Sequence, residues 1–345
     1  MRMSIDHDYA RSAGSQRLTI VGAGAWGTTL AVLAARAGSN VTLLVRDSAM
    51  ADSLSQRRGE ARDYRGTILP AGLHVTSSLH DAFSASEVIV FAVPIQALRG
   101  AVVASAELLQ RKILVNAGKG LELSTLLRPT QILADVLGGE GAASLCALSG
   151  PNLAAEINAG LPATAVVASR EPRAAVLARG VLMSPQFRIY TSGDVIGVEM
   201  GGALKNIIAI GAGIGDGLGA GDNAKAAFLT RGIAEIARLG IACGAEPLTF
   251  AGLSGIGDLI ATCSSSLSRN NRVGRELAQG KRLDEILNRM GEVAEGVPTT
   301  KAARELGVRM GVDMPITSQM HEVLFAGKAP LEAIRDLMAR EPTRE

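Results

Sequence analysis

Three charged residues stand out because each interrupts a glycine-rich or apolar stretch: Lys119, Lys205 and Asp258. Lys119 lies in Asn116-Ala-Gly-Lys-Gly120, directly after a short β-branched run. Ligands of open α/β sheets bind beyond the C-terminal ends of strands, so a lysine placed there points at the crevice. Lys205 lies in Gly202-Ala-Leu-Lys-Asn206, inside a long apolar pattern of helical spacing. A charge in such a place is costly unless matched or used. Lysine also shifts its pKa readily on burial or beside another cation, which makes Lys205 the candidate general acid/base. Asp258, in Leu253-Ser-Gly-Ile-Gly-Asp, can orient a buried lysine. Ser268, Arg269 and Asn270 come just before a helical run that begins near Arg272, and a helix start carrying Ser, Arg and Asn suits a phosphate dianion. Each has a plainer alternative: Lys119 as a surface lysine, Lys205 with its stem packed and its ammonium in water. Ser268 or Asn270 as a simple N-cap is another, which leaves Arg269 without a role.

The four histidines (His7, His74, His80, His321) fall outside these stretches. A histidine-based triad, a His-Asp relay and a histidine-ligated metal are therefore not expected, and no metal site is assigned. The three cysteines have neither metal spacing nor a disulfide framework, which fits a reducing cytoplasm.

These residues need a scaffold, and Leu18–Arg46 indicates which. An apolar strand-like run, Leu18–Val21, ends in Gly22-x-Gly24-x-x-Gly27; a helical pattern follows to Arg36 and stops at Gly38, and Val41–Val45 reads as a second strand. This is the dinucleotide-binding βαβ fingerprint in context: Gly22 for a tight turn, Gly24 for close approach to a pyrophosphate, Gly27 for helix-on-strand packing. An NAD-selective unit usually carries Asp or Glu at the end of the second strand. Here Arg46 stands there and suits a 2′-phosphate, so NADP(H) is the expected cofactor; Asp47, one step behind, keeps NAD(H) as the alternative.

Strand-like runs then alternate with helical ones as far as Phe187–Tyr190, with short connections, predicting a parallel, doubly wound α/β sheet. Ile95–Leu109 reads as one helix, and Asp47–Arg65 as a short helix and loop. From Asp194 the strand signals stop and apolar residues recur at helical spacing, so the second domain is expected to be all-helical. The expected organisation is a polar extension over 1–16, a dinucleotide-binding domain over 17–193 and a helical substrate domain over 194–340. Glycines at 201, 202, 211, 213, 215 and 217 weaken the first helix of that domain, at about 1 kcal/mol each, and close packing against another helix is the expected reason for most. The run Leu204–Leu218 looks too short and too charged to cross a bilayer, and residues 1–16 lack a signal peptide's apolar core. A net charge of +2 with scattered basic residues argues against nucleic acid. With 47% apolar and 20% charged residues the composition is that of a globular protein.

Taken together, the chain resembles the NAD(P)-dependent glycerol-3-phosphate dehydrogenases, the bacterial NAD(P)H-linked branch above all. The likeness runs from Leu18 to about Lys328 and rests on seven motifs in order: GAGAWGTTLA, VPIQALR, NAGKGLE, SGPNLAAE, EMGGALKNIIAIGAGIGDGLG, GLSGIGDLIATC with SLSRNN, and VAEGVPTT. The resemblance implies Lys205 as proton donor and acceptor at the substrate C2 oxygen. It implies substrate contacts from Lys119, Gly150, Asn152, Asp258, Ser268, Arg269 and Asn270. Cofactor contacts would come from Ala25, Trp26, Arg46, Lys119, Ala154, Arg269, Val293 and Glu295. It further implies reduction of dihydroxyacetone phosphate to sn-glycerol 3-phosphate for phospholipid synthesis, by a cytoplasmic homodimer. Ala25 and Asn152 stand where many relatives carry Ser, and Ile95 and Ile68 also depart from the usual pattern. A ketopantoate or 3-hydroxyacid dehydrogenase shares the two-domain build, but its carboxylate substrate gives the Ser-Arg-Asn site no role. A nucleotide-sensing protein without catalysis gives the two lysines none.

Overall fold

The computed structural model describes residues 17–56, 68–291 and 293–341. The polar residues 1–16 and the loop expected after Gln56 lie outside them. The described residues within Met1–Gly118 and Pro129–Val195 form one compact unit, and those within Lys119–Arg128 and Ile196–Glu345 another.

In the first unit the elements are β1 (Arg17–Val21), α1 (Ala25–Arg36), β2 (Asn40–Leu44), α2 (Ser48–Gln56), β3 (His74–Thr76), α3 (Leu79–Ser84), β4 (Val88–Phe91), α4 (Ile95–Val103), α5 (Ala106–Leu109), β5 (Ile113–Asn116), α6 (Pro129–Leu137), β6 (Ser144–Ser149), α7 (Ala154–Asn158), β7 (Ala163–Ser169), α8 (Pro172–Leu182) and β8 (Phe187–Ser192). The eight strands form one sheet in the order β3-β2-β1-β4-β5-β6-β7-β8. Successive residues of β4 are all buried although they point to opposite faces, as in a sheet covered on both sides. Leu18 of β1 is opposite Val41 on one side and Val88 on the other. The strand order therefore reverses between β1 and β4, and the crevice lies at their C-terminal ends.

Two expectations need correcting. The sheet is not parallel throughout, because β6 and β7 are antiparallel. Their connection holds only the five-residue α7, about 7.5 Å long. The six-residue β6 spans about 20 Å, so the chain is not carried back to its start and β7 runs in reverse. The eleven-residue α8 restores parallel pairing between β7 and β8. The helix expected over Ile95–Leu109 is broken into α4 and α5. At the break Ser105 Oγ donates back to the Ala101 carbonyl at 2.8 Å, a bond that competes with the helical ladder.

The second unit is helical beyond residue 195, as the spacing predicts: α9 (Val195–Gly217), α10 (Asp222–Ala242), α11 (Asp258–Ser264), α12 (Arg269–Ala278), α13 (Leu283–Met290), α14 (Gly296–Met310), α15 (Pro315–Phe325) and α16 (Pro330–Met338). α11 and α13, of seven and eight residues, are too short for periodicity to reveal. The apolar run that looked too short to cross a bilayer belongs to α9, which has 23 residues and is long and apolar enough to do so; however, 94% of its most apolar window is buried inside the protein. Its glycines mostly permit contact, as expected. A Cβ on Gly213 would lie 2.1 Å from the Asn271 carbonyl oxygen, and one on Gly274 2.0 Å from that of Ile210. The backbones of α9 and α12 therefore cross in direct contact.

Candidate active site

Lys205 lies near the middle of α9 and is 5% exposed; Asp258 opens α11 and is 1% exposed. Asp258 Oδ1 accepts a hydrogen bond from Lys205 Nζ, and Oδ2 accepts one from Lys119 Nζ at 2.6 Å. Lys205 also donates to Thr262 Oγ1, one turn along α11. A single buried carboxylate thus carries two ammonium groups, which leaves an excess positive charge in a desolvated place. Gly201, four residues before Lys205, makes this arrangement possible: a Cβ there would lie 2.5 Å from the Ser254 carbonyl oxygen. The turn Leu253–Gly257 therefore lies directly on α9, and Gly255 leaves helical geometry (φ −96°, ψ −106°) just before α11 begins.

Burial is the dominant influence on Lys205 and brings its pKa down to about 8; Asp258 opposes the shift, and the Lys119 charge adds to it. A lysine near 8 exchanges its proton close to neutral pH, as acid/base catalysis requires. Burial pushes the neighbouring Cys263 thiol up to about 12, which rules it out as a thiolate nucleophile.

α12 starts three residues earlier than expected, so Arg269 and Asn270 are its first residues and Ser268 is its N-cap. Ser268 Oγ accepts from the Asn271 amide at 3.2 Å, which is the plainer reading realised for that residue. Asn270 Nδ2 donates to Asn206 Oδ1 at 2.9 Å, and its Oδ1 accepts from the Gly296 amide at 3.0 Å. It thereby joins α9, α12 and the start of α14, next to Glu295. Arg269 is exposed at the helix start, and Val293 is 45% exposed.

On the first unit, Gly22 takes φ +106°, and a Cβ there would lie 2.9 Å from the Ala92 carbonyl oxygen. One on Gly27 would lie 1.9 Å from the Gly22 carbonyl oxygen. Gly24 starts α1 with no side-chain cap and no acidic residue in the first turn, and Ala25, Trp26 and Gly27 follow. This tight glycine turn at the switch point fits a dinucleotide pyrophosphate. Arg46, just beyond β2, is exposed. Asp47 instead turns to α2, its Oδ1 accepting the Ala49 amide at 2.9 Å. After β6, Gly150 adopts φ +144° against Thr164 and Ala165. Asn152 Nδ2 donates to the Thr164 carbonyl at 3.0 Å, while its buried Oδ1 has no hydrogen-bond partner among the described residues. Ala154 opens α7.

Of the residues singled out from the sequence, Lys119, Lys205 and Asp258 meet directly, and Ser268, Arg269, Asn270, Val293 and Glu295 share the second unit with them. Gly22, Gly24, Ala25, Trp26, Gly27, Arg46, Gly150, Asn152 and Ala154 belong to the first. Thr262 and Asn206 were not anticipated as partners. Thr262 had a legible signal, because four residues after Asp258 on a helix places both on one face.

Comparisons with known proteins bear on this arrangement. The family described as NAD-dependent glycerol-3-phosphate dehydrogenase matches through its N-terminal part over residues 17–175 and its C-terminal part over 194–335. A glycerol-3-phosphate dehydrogenase [NAD(P)+] of Geobacter metallireducens is 46% identical over 331 residues, covering 96% of this chain and 99% of that protein. One of Chlorobium phaeobacteroides is 48% identical over 330 residues, covering 95% and 99%. Among solved structures, glycerol-3-phosphate dehydrogenase (gpsA) from Coxiella burnetii superposes with a TM-score of 0.89 at 32% identity, over 95% of this chain and 100% of that one. A ketopantoate reductase of Ralstonia eutropha shares the fold at a TM-score of 0.55 and 15% identity, over 92% and 99%. With both parts of the family matched in order over most of the chain, the chain belongs to the NAD-dependent glycerol-3-phosphate dehydrogenase family.

Proposed function

We propose that the protein catalyses the reversible NAD(P)H-dependent reduction of dihydroxyacetone phosphate to sn-glycerol 3-phosphate. The observation that carries this reading is Asp258, which joins Lys119 and Lys205 in a buried, net positive cluster. A ketone being reduced develops negative charge on its oxygen, and such a cluster stabilises that charge without reorganisation. When bound, the nicotinamide cofactor supplies the hydride, or takes it up in the reverse direction. Lys205 Nζ gives its proton to the C2 oxygen as the alkoxide forms and recovers one from solvent. Asp258 aims Lys205 through Oδ1 and Lys119 through Oδ2, and Thr262 fixes the Lys205 head from the other side. Arg269, at the uncapped-by-acid start of α12, holds the phosphate and so fixes the ketone's position. Gly150 and Asn152 add polar contacts to the substrate, the unpartnered Asn152 Oδ1 being suited to a hydroxyl donor.

For the cofactor, the Gly22–Gly27 turn and Trp26 take the pyrophosphate end, with Ala154, Val293 and Glu295 as further contacts. Arg46 reads the 2′ position. Asp47 is engaged by α2, which supports a preference for NADP(H) over NAD(H). The product is the backbone of glycerophospholipids, made in the cytoplasm. A homodimer is favoured by Ile241, Leu248, Ile260 and Leu267, all exposed on the helical unit.

The test is cofactor oxidation followed at 340 nm with the purified protein, with and without dihydroxyacetone phosphate. Oxidation that depends on this substrate, and not on ketopantoate, is the expected result. Equal rates with both, or none with either, refute it.

A further inference from the structure

The chain leaves the first unit at Gly118, contributes Lys119–Arg128 to the second, and returns at Pro129. Lys119 is the first residue of this ten-residue excursion, and Arg128 is the last. Arg128 is 8% exposed and donates from its guanidinium to Glu199 of α9, which is 6% exposed. Between the ends, Leu121 and Leu126 are buried in the core of the helical unit. The turn is closed internally: the Leu126 amide donates to the Glu122 carbonyl at 2.9 Å, and the Glu122 amide to that of Leu127 at 3.1 Å. Leu126 takes φ +62°, a left-handed conformation costly for a branched side chain, which persists only where the surroundings enforce it. Glu199 precedes Lys205 by six residues on the same helix, about 9 Å along its axis.

We propose that the Arg128–Glu199 ion pair is a positioning device for Lys119. It pins the far end of the excursion to the helix that carries Lys205, so that both lysines meet Asp258 on one rigid frame. This rests on the reaction proposed above and adds two residues that touch neither substrate nor cofactor. Two buried charges are an expensive way merely to hold a loop, since apolar residues of similar volume serve stability equally well. What the pair adds is directional: a fork-shaped guanidinium fixes distance and angle as leucine packing does not. The groups facing Lys205 are Asp258, Thr262, Lys119 and Cys263. If the excursion loosens, the Lys119 charge withdraws, and Lys205 holds its proton to higher pH.

Two variants test this. The double variant Arg128→Met/Glu199→Leu removes both charges, so that neither is left buried alone; Arg128→Lys keeps the charge and loses the fork. Two quantities are read: the Lys205 titration midpoint, from lysine side-chain NMR assigned with Lys205→Met, and kcat with dihydroxyacetone phosphate. The double variant is expected to move the midpoint upward and lower kcat by about 10²-fold, the cost of a displacement near 1 Å, with Arg128→Lys between it and wild type. Either quantity staying at its wild-type value overturns the proposal, because a merely structural role lowers kcat without moving the midpoint. Should the double variant not fold, Arg128→Lys is judged by the same two readouts. If wild type itself does not turn over dihydroxyacetone phosphate, the proposed reaction fails, and the midpoint alone judges the ion pair.

Discussion

Asp258→Asn removes the negative charge between the two lysines while keeping the size of the side chain and some of its hydrogen bonding. In the wild type, burial lowers the Lys205 pKa to about 8 against the opposing pull of Asp258. Without that carboxylate, the two largest remaining influences, burial and the Lys119 charge, both favour the neutral amine. An opposite charge at contact favours the ammonium, so the variant's Lys205 should titrate well below its wild-type value. At pH 7.5 a smaller fraction of Lys205 then carries its proton than in the wild type, so kcat for ketone reduction should fall by at least about 3-fold. The sign follows from the active form: reduction needs the ammonium, so its rate is full below the pKa and falls as pH rises through it. Oxidation of sn-glycerol 3-phosphate needs the free amine and has the opposite dependence. The assay is kcat against pH in both directions at saturating cofactor, with circular dichroism to confirm the fold. The alkaline limb of reduction should sit near 8 in the wild type and move to lower pH in the variant. A limb that stays in place, with kcat within twofold of wild type at pH 7.5, would refute the electrostatic role given to Asp258.

Arg269→Ala should raise KM for dihydroxyacetone phosphate far more than for an unphosphorylated ketone, by roughly 1.5–3 kcal/mol of lost charge-assisted hydrogen bonding; equal losses with both would show that Arg269 does not read the phosphate. Arg46→Ala should weaken NADPH binding specifically and lower the NADPH/NADH ratio of kcat/KM, and an unchanged ratio would move the 2′ reading to another residue. Gly213→Ala should lower stability by about 1–3 kcal/mol through overpacking, because its Cβ would lie 2.1 Å from the Asn271 carbonyl oxygen. Thermal unfolding measures this, and an unchanged Tm would show that α9 and α12 can separate at no cost.

The parts of this protein that follow from local chemistry were legible in its sequence. The strand–glycine turn–helix of Leu18–Arg36 could be read because each glycine answers a steric demand within a few residues. That Lys205 is buried and partnered could be read because a charge in an apolar helix has few inexpensive explanations. The partnership of Lys119, Lys205 and Asp258 was only inferable, since residues 139 and 53 positions apart come together through packing that no local pattern encodes. The same holds for Asn270, whose amide bonds to Asn206 and Gly296 on two other helices. The antiparallel β7 was missed because its cause is the length of α7, five residues that leave almost no periodic signal. The break at Ser105 was missed because a serine bonding back to its own helix looks, in sequence, like any surface serine. The start of α12 was placed too late because Arg269, Asn270 and Asn271 carry no apolar periodicity.

The most direct measurement is steady-state reduction of dihydroxyacetone phosphate by Lys205→Ala beside the wild type, with NADPH affinity determined independently. The expected result is a fall in kcat of about 10²–10⁴-fold, the usual cost of losing a general acid, while NADPH binding stays near wild type. A variant that keeps more than half of the wild-type kcat at saturating substrate would remove Lys205 from the chemistry and contradict the account.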